Sequence, residues 1–290
     1  MIRALLLTSR PLSWVNTAFP FAAAYFVATG RVDATLVIGT LFFLVPYNLA
    51  MYGINDVFDY ESDVRNPRKG GVEGALLEPR WHRATLIASG LVALPFVAYL
   101  VAVGGPASWI VLALSLFAVV AYSVKGLRFK ERPFLDSMTS STHFVSPAVY
   151  ALALVGAVPT APVVALLVAY FLWGAASHAF GAVQDIGADR EAGIGSVATV
   201  IGARATVRLA VALYLLAGIL LLAGGALSDS RPLALAALLA VPYVLNALPW
   251  VGTDDESAAS ANRGWRRFLW LNYVTGFLVT MLLIASAAGL

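Results

Sequence analysis

Residues 84–124 read ATLIASGLVALPFVAYLVAVGGPASWIVLALSLFAVVAYSV, without one Asp, Glu, Lys or Arg. A helix of about 20 apolar residues crosses a hydrocarbon core. The stretch therefore reads as two spans, 84–104 and 107–124, joined by the tight turn Gly104-Gly105-Pro106. A soluble helix would break such blocks with a polar face every turn. Residues 161–183, 206–227 and 232–251 repeat the pattern. The whole chain is 60% hydrophobic and 12% charged, against about 25% charged in soluble domains. Lipid is thus the solvent for most of it, and unpaired backbone groups cannot persist there, so the blocks are expected to be helical.

Nine helices are expected, at 13–29, 34–54, 84–104, 107–124, 135–157, 161–183, 206–227, 232–251 and 266–288. Pro20, Pro46, Pro95, Pro147 and Pro242 fall inside them, which membrane helices tolerate. This assignment places 17 of the 19 Lys and Arg residues on one side of the membrane, leaving only Arg31 and Arg231 opposite. The positive-inside rule then puts the N-terminus in the cytoplasm and the C-terminus outside. Residues 1–290 are expected to form a single all-α polytopic domain in the cell membrane, its helices around a central cavity. The run Ala4–Leu7 is too short for a signal-peptide core, so the N-terminus reads as mature sequence. Cysteine is absent, which excludes disulfides and thiolate metal sites. No nucleic-acid partner is expected.

Fourteen of the 16 acidic residues share the basic side, and two groups of them carry chemistry. The first is Asn55-Asp56-Val57-Phe58-Asp59-Tyr60-Glu61-Ser62-Asp63, at the inner end of the second span. On a continuing helix, Asp56, Asp59 and Asp63 share one face. Like charges so placed repel, and the spacing makes sense if a cation lies among them. Hard carboxylate oxygens suit Mg²⁺, which is held by one or two carboxylates together with substrate phosphates. The second group, Asp185 and Asp189, ends the sixth span, with Gly193 and Gly195 expected to break the helix. Both groups end spans on the same side, so five aspartates can be expected to meet around one diphosphate. A third stretch, Tyr122-Ser123-Val124-Lys125-Gly126-Leu127-Arg128-Phe129-Lys130, interleaves bases with apolar residues. Lys125, Arg128 and Lys130, and likewise Arg65, Arg68 and Lys69, can neutralise charge on a departing diphosphate. Topology alone also accounts for many of these bases. His178 and His143 inside spans read equally as cavity groups or as interhelical hydrogen-bond partners. Asp254-Asp255-Glu256 reads as a solvated loop.

These residues resemble the UbiA superfamily of intramembrane prenyltransferases. Its N-D-x-x-D-x-x-x-D motif matches Asn55, Asp56, Asp59 and Asp63, and its D-x-x-x-D motif matches Asp185 and Asp189. Its R-P-x-x-W opening matches Arg10, Pro11 and Trp14, and its Tyr-Ser element with following bases matches Tyr122, Ser123, Lys125, Arg128 and Lys130. Residues 55–74, together with Arg128-Phe129-Lys130 and Arg132-Pro133-Phe134-Leu135-Asp136-Ser137, are similar to the lycopene elongase branch. The resemblance implies metal ligands at Asp56, Asp59, Asp63, Asp185 and Asp189, with Mg²⁺ as cofactor. It implies diphosphate binding by Asn55, Arg65, Arg68, Lys69, Lys125, Arg128 and Lys130, and a catalytic role for Tyr122 beside the aspartates. It also implies transfer of a dimethylallyl group to the ends of lycopene. The other readings are an aromatic or polar-lipid acceptor, a cation transporter, and a non-catalytic scaffold. Transporters place ionisable residues near the bilayer midplane, whereas these aspartates end helices.

Overall fold

The computed structural model describes residues 2–64 and 76–287, and these are helical with no strand among them. The helices in chain order are α1 (Ile2–Thr8), α2 (Val15–Thr29), α3 (Ala34–Leu44), α4 (Pro46–Phe58), α5 (Tyr60–Asp63), α6 (Pro79–Val103) and α7 (Pro106–Ser123). There follow α8 (Leu135–Leu154), α9 (Ala161–Val183), α10 (Ile186–Glu191), α11 (Val197–Leu227), α12 (Arg231–Leu235), α13 (Ala240–Ala247) and α14 (Asn262–Ala287). Seven segments among the described residues are long and apolar enough to span a membrane: Ala34–Phe58, Pro79–Val103, Pro106–Ser123, Ala161–Val183, Val197–Leu227, Arg231–Trp250 and Ala258–Ser286. The other two expected spans are also helical. However, α2 has only 15 residues, and α8 carries Asp136, Ser137, Thr139, Ser141 and His143 buried along its length.

Local sequence explains the helix ends. Asp33 caps α3 by accepting from the Leu36 N–H at 3.0 Å, and Gly30 turns the chain before it at φ 64°. Pro46 has no N–H to donate and clashes with the preceding turn, so the expected second span is broken between α3 and α4. Helix α11 begins nine residues earlier than expected. Ser196 and Thr199 cap it reciprocally, and Gly202 supplies a non-helical joint at φ 79°. The expected eighth span is a succession of α and 3-10 turns from Arg231 to Trp250.

The chain divides into two compact units. One comprises Met1–Phe129 with Thr142–Val158, the other Lys130–Ser141 with Pro159–Leu290. The first unit is cored by aromatic side chains. Phe21 packs on Phe43 and Tyr150 with centroids 5.3 and 6.1 Å apart, and Gly39 lets α3 approach so closely that a Cβ there would strike the Phe21 ring. In the second unit α9 lies along α11. Their buried residues include Ala169, Ala176, Ala210 and Ala217, small side chains of the kind that let membrane helices pack closely. Leu91, Leu94, Ile110, Ile219 and Phe277 are each more than 60% exposed, as a lipid-facing surface requires.

Candidate active site

The first acidic stretch lies where α4 gives way to α5. Asp59 ends α4 at φ −100°, ψ −4°, with its N–H bonded to Asn55 O at 2.9 Å, and Asp63 N–H bonds Asp59 O at 2.8 Å. The helical hydrogen-bond pattern therefore runs on through the bend. All three carboxylates are withdrawn from solvent, with Asp56, Asp59 and Asp63 at 1, 6 and 7% exposure. Buried charges require partners. Arg10 Nη2 lies 3.0 Å from Asp56 Oδ1, and Arg128 Nη2 lies 3.8 Å from Asp59 Oδ1. Arg10 is held in a left-handed backbone conformation, φ 51°, with its guanidinium 4.2 Å above the Tyr52 ring. Burial acts to lower the Arg10 pKa, but the Asp56 charge, the Tyr52 hydroxyl, the hydrogen bond to Asp56 and the Asp63 charge together outweigh it and hold the group above its ordinary value.

The Tyr122-Ser123 element joins the same place. Ser123 Oγ donates to Asn55 Oδ1 at 3.0 Å, and the half-buried Tyr122 ring stands at 83° to the His143 ring with centroids 5.5 Å apart. Lys125 is exposed and Lys130 half-buried. Arg65, Arg68 and Lys69 lie outside the described residues.

The second acidic stretch bends in the same manner. Helix α9 ends at Val183, Asp185 adopts φ −97°, ψ −6°, and Asp189 N–H bonds Asp185 O at 2.8 Å. Both aspartates are half-buried. Gly193, at φ 69°, ends the motif where a break was expected, and Ile194 N–H bonds back to Asp189 O at 2.8 Å.

Three anchors hold this stretch that composition did not single out. Asp136, fully buried, accepts from Val197 N–H at 2.8 Å and Ser137 N–H at 2.7 Å, fixing the start of α11. Asn262 donates to Gln184 Oε1 at 2.6 Å, next to Asp185. Asp255 corrects the expectation of a merely solvated loop. It accepts from Ala203 N–H at 2.6 Å and pairs with Arg190 at 2.8 Å, one residue beyond Asp189. Ser137 and His178 also meet, at 3.1 Å. No spacing rule links Asp255 to Arg190 or Arg10 to Asp56, which are 65 and 46 residues apart in the chain. The only hint in the sequence is that charges near a membrane helix end need counter-charges.

Among the described residues no three His, Asp or Glu side chains form a metal cage by themselves. Mg²⁺ seldom uses an all-protein cage, and takes one or two carboxylates with phosphate oxygens and water. The three withdrawn carboxylates of the first stretch, with Arg10 and Arg128 beside them, and the half-buried pair of the second therefore fit a metal–diphosphate ligand.

The UbiA prenyltransferase family profile matches residues 17–273. A C(50) beta-cyclic carotenoids biosynthesis protein of Dietzia sp. is 57% identical over 99% of this chain, which spans 65% of that longer protein. A lycopene elongase/hydratase of Corynebacterium glutamicum is 51% identical over 98% of this chain and 97% of its own length. Among solved structures, a UbiA homolog of Archaeoglobus fulgidus bound to DMAPP and Mg²⁺ superposes with TM-score 0.69 at 19% identity, covering 95% of this chain and 99% of that one. An apo UbiA homolog of Aeropyrum pernix gives 0.65 at 19% identity, with 97% of each chain covered.

Proposed function

We propose, for a chain that belongs to the UbiA prenyltransferase family, that it transfers a dimethylallyl group from its diphosphate to the ends of lycopene. The observation that carries this reading is the cluster of withdrawn carboxylates in the first stretch, each of Asp56 and Asp59 with an arginine against it. Relatives at 51 and 57% identity bear lycopene elongase and C(50) carotenoid names, which supports lycopene as the acceptor. A structural neighbour bound to DMAPP and Mg²⁺ supports the donor and the metal.

In this reading residues 1–290 work as one integral-membrane domain of nine spans, with the N-terminus and the site opening on the cytoplasmic side. Asp56, Asp59, Asp63, Asp185 and Asp189 would hold Mg²⁺. The ion, when bound, supplies charge neutralisation for the diphosphate oxygens. Asn55, Arg128, Lys125 and Lys130, with Arg65, Arg68 and Lys69, bind and orient the diphosphate. The allylic C–O bond breaks, and its electron pair leaves with the diphosphate. Tyr122 lies beside the allylic cation so formed. A terminal alkene of the acceptor attacks that cation, and the resulting tertiary cation either loses a proton or captures water. An apolar cavity prevents bulk water from quenching the first cation.

Pigment analysis of lycopene-producing cells tests the reading. Cells with the protein are expected to accumulate C45 and C50 species. Unchanged lycopene beside well-expressed protein refutes it, and labelled donor appearing on an aromatic or polar-lipid acceptor redirects it. Carrying out the reaction in isotopically labelled water distinguishes hydration from deprotonation.

A further inference from the structure

His143 lies on α8 in the interior of the first unit, 3% exposed. Its Nδ1 is 3.4 Å from the Tyr47 hydroxyl, which is 3.1 Å from Ser115 Oγ, and Ser115 is 2.7 Å from Ser146 Oγ. Four polar side chains from α4, α7 and α8 thus meet beside a core that is otherwise aromatic and aliphatic. The chain of contacts also leads to the site. The imidazole stands edge to face with Tyr122, and the next residue, Ser123, bonds Asn55 of the first acidic stretch.

An ionisable residue inside a membrane protein is expensive to keep there. Interhelical hydrogen bonding does not account for that expense, because such bonds average only about 0.6 kcal/mol and a neutral amide would make them as well. The proposed reaction does need such a group. It ends on a tertiary cation that must give up a proton, and the proposed function already assigns the arginines and aspartates of the site to the diphosphate and its metal. A neutral imidazole is a base that an apolar cavity can hold uncharged until the proton arrives.

We infer that His143 is the final proton acceptor of the prenyl transfer, with Tyr47 orienting its ring; this rests on the function proposed above. In deprotonation, a C–H bond next to the cationic carbon breaks, its electron pair becomes the new alkene, and the proton goes to the imidazole. In hydration, the water oxygen forms the C–O bond and one water proton goes to the same nitrogen. When Nδ1–H donates to the Tyr47 oxygen, Tyr47 donates to Ser115 and Ser115 to Ser146. In that arrangement Nε2 carries the basic lone pair.

The test uses the full chain in detergent with dimethylallyl diphosphate, Mg²⁺ and lycopene, following elongated product and diphosphate release separately. His143→Gln is expected to lower kcat for elongated product about 100-fold or more, with the donor KM within about threefold and diphosphate release reduced much less than product. Tyr47→Phe keeps the ring and loses the hydroxyl. It is expected to lower kcat about tenfold with an unchanged donor KM, beside the modest fall in melting temperature that losing a buried hydroxyl brings. A purely structural role would instead move kcat and KM together, which overturns the assignment. Wild-type kcat in His143→Gln overturns it outright, and if that variant does not fold, wild-type kcat in Tyr47→Phe does so. Wild-type protein that releases diphosphate yet leaves lycopene unchanged overturns the functional reading itself and the assignment with it.

Discussion

Replacing one member of the Arg10–Asp56 pair should cost more than replacing both. The pair is separated by 3.0 Å, and its side chains are 19 and 0% exposed. Two unit charges about 4 Å apart attract by about 4 kcal/mol at an effective dielectric constant of 20, and the Asp56 carboxylate has already lost its hydration. Asp56→Asn leaves the guanidinium buried without its counter-charge, at an expected cost of about 3–5 kcal/mol. Arg10→Met takes from the buried Asp56 carboxylate the guanidinium that lies 3.0 Å away and also removes the stacking on Tyr52, worth about 1 kcal/mol. The double variant loses that stacking and some packing but strands no charge. It is therefore expected to be at least as stable as either single variant. Urea unfolding in detergent, followed by the fluorescence of the seven tryptophans in the presence of a chelator, measures stability apart from catalysis. A double variant destabilised by the sum of the two singles would refute the reasoning.

Two further perturbations report on the second unit. The Asp255 carboxyl is held below its ordinary range, first by the Ala203 N–H against the opposing effect of burial, and then by Arg190. A lowered folded pKa contributes stability above about pH 4 that is lost as pH falls through the folded value. Protection of the Ala203 amide from hydrogen exchange should therefore persist at pH 5 and fall on further acidification, and Asp255→Asn should abolish that dependence. Because the pair is partly exposed, the associated stability change should stay within about 1 kcal/mol. Gly225→Ala drives a Cβ into the Ala234 backbone, whereas Gly90→Ala meets nothing within 4 Å. The first should destabilise by about 1–3 kcal/mol and the second should be neutral, as measured by the same unfolding assay.

What the sequence made legible follows from what the bilayer forces. Apolar blocks of about 20 residues have only one backbone solution in lipid, so Pro79–Val103, Pro106–Ser123 and Ala161–Val183 fall within a few residues of expectation. Outside the hydrocarbon that constraint lapses. The early start of α11 at Val197 carries Arg204, and is set by a capping box and by Asp136, a tertiary contact 61 residues away in the chain. The bend at Pro46 was foreseeable from its missing N–H, but a membrane setting also permits an unbroken helix, and hydropathy does not choose between them. Within the site, carboxylates at helical spacing were visible because like charges at i, i+3 and i+4 call for a cation. The Arg10 partner of Asp56, and the Arg190–Asp255 pair next to Asp189, depend on which helix ends lie side by side, and local patterns carry no record of that.

Crystals grown with Mn²⁺ in place of Mg²⁺ and an unreactive dimethylallyl diphosphate analogue address the convergence of the two acidic stretches most directly. Anomalous scattering locates each ion independently of the protein coordinates. Ions between the analogue's phosphates and carboxylates of both stretches, Asp56, Asp59 or Asp63 on one side and Asp185 or Asp189 on the other, are the expected result. Ions bound by one stretch alone, or an analogue bound away from both, would contradict it.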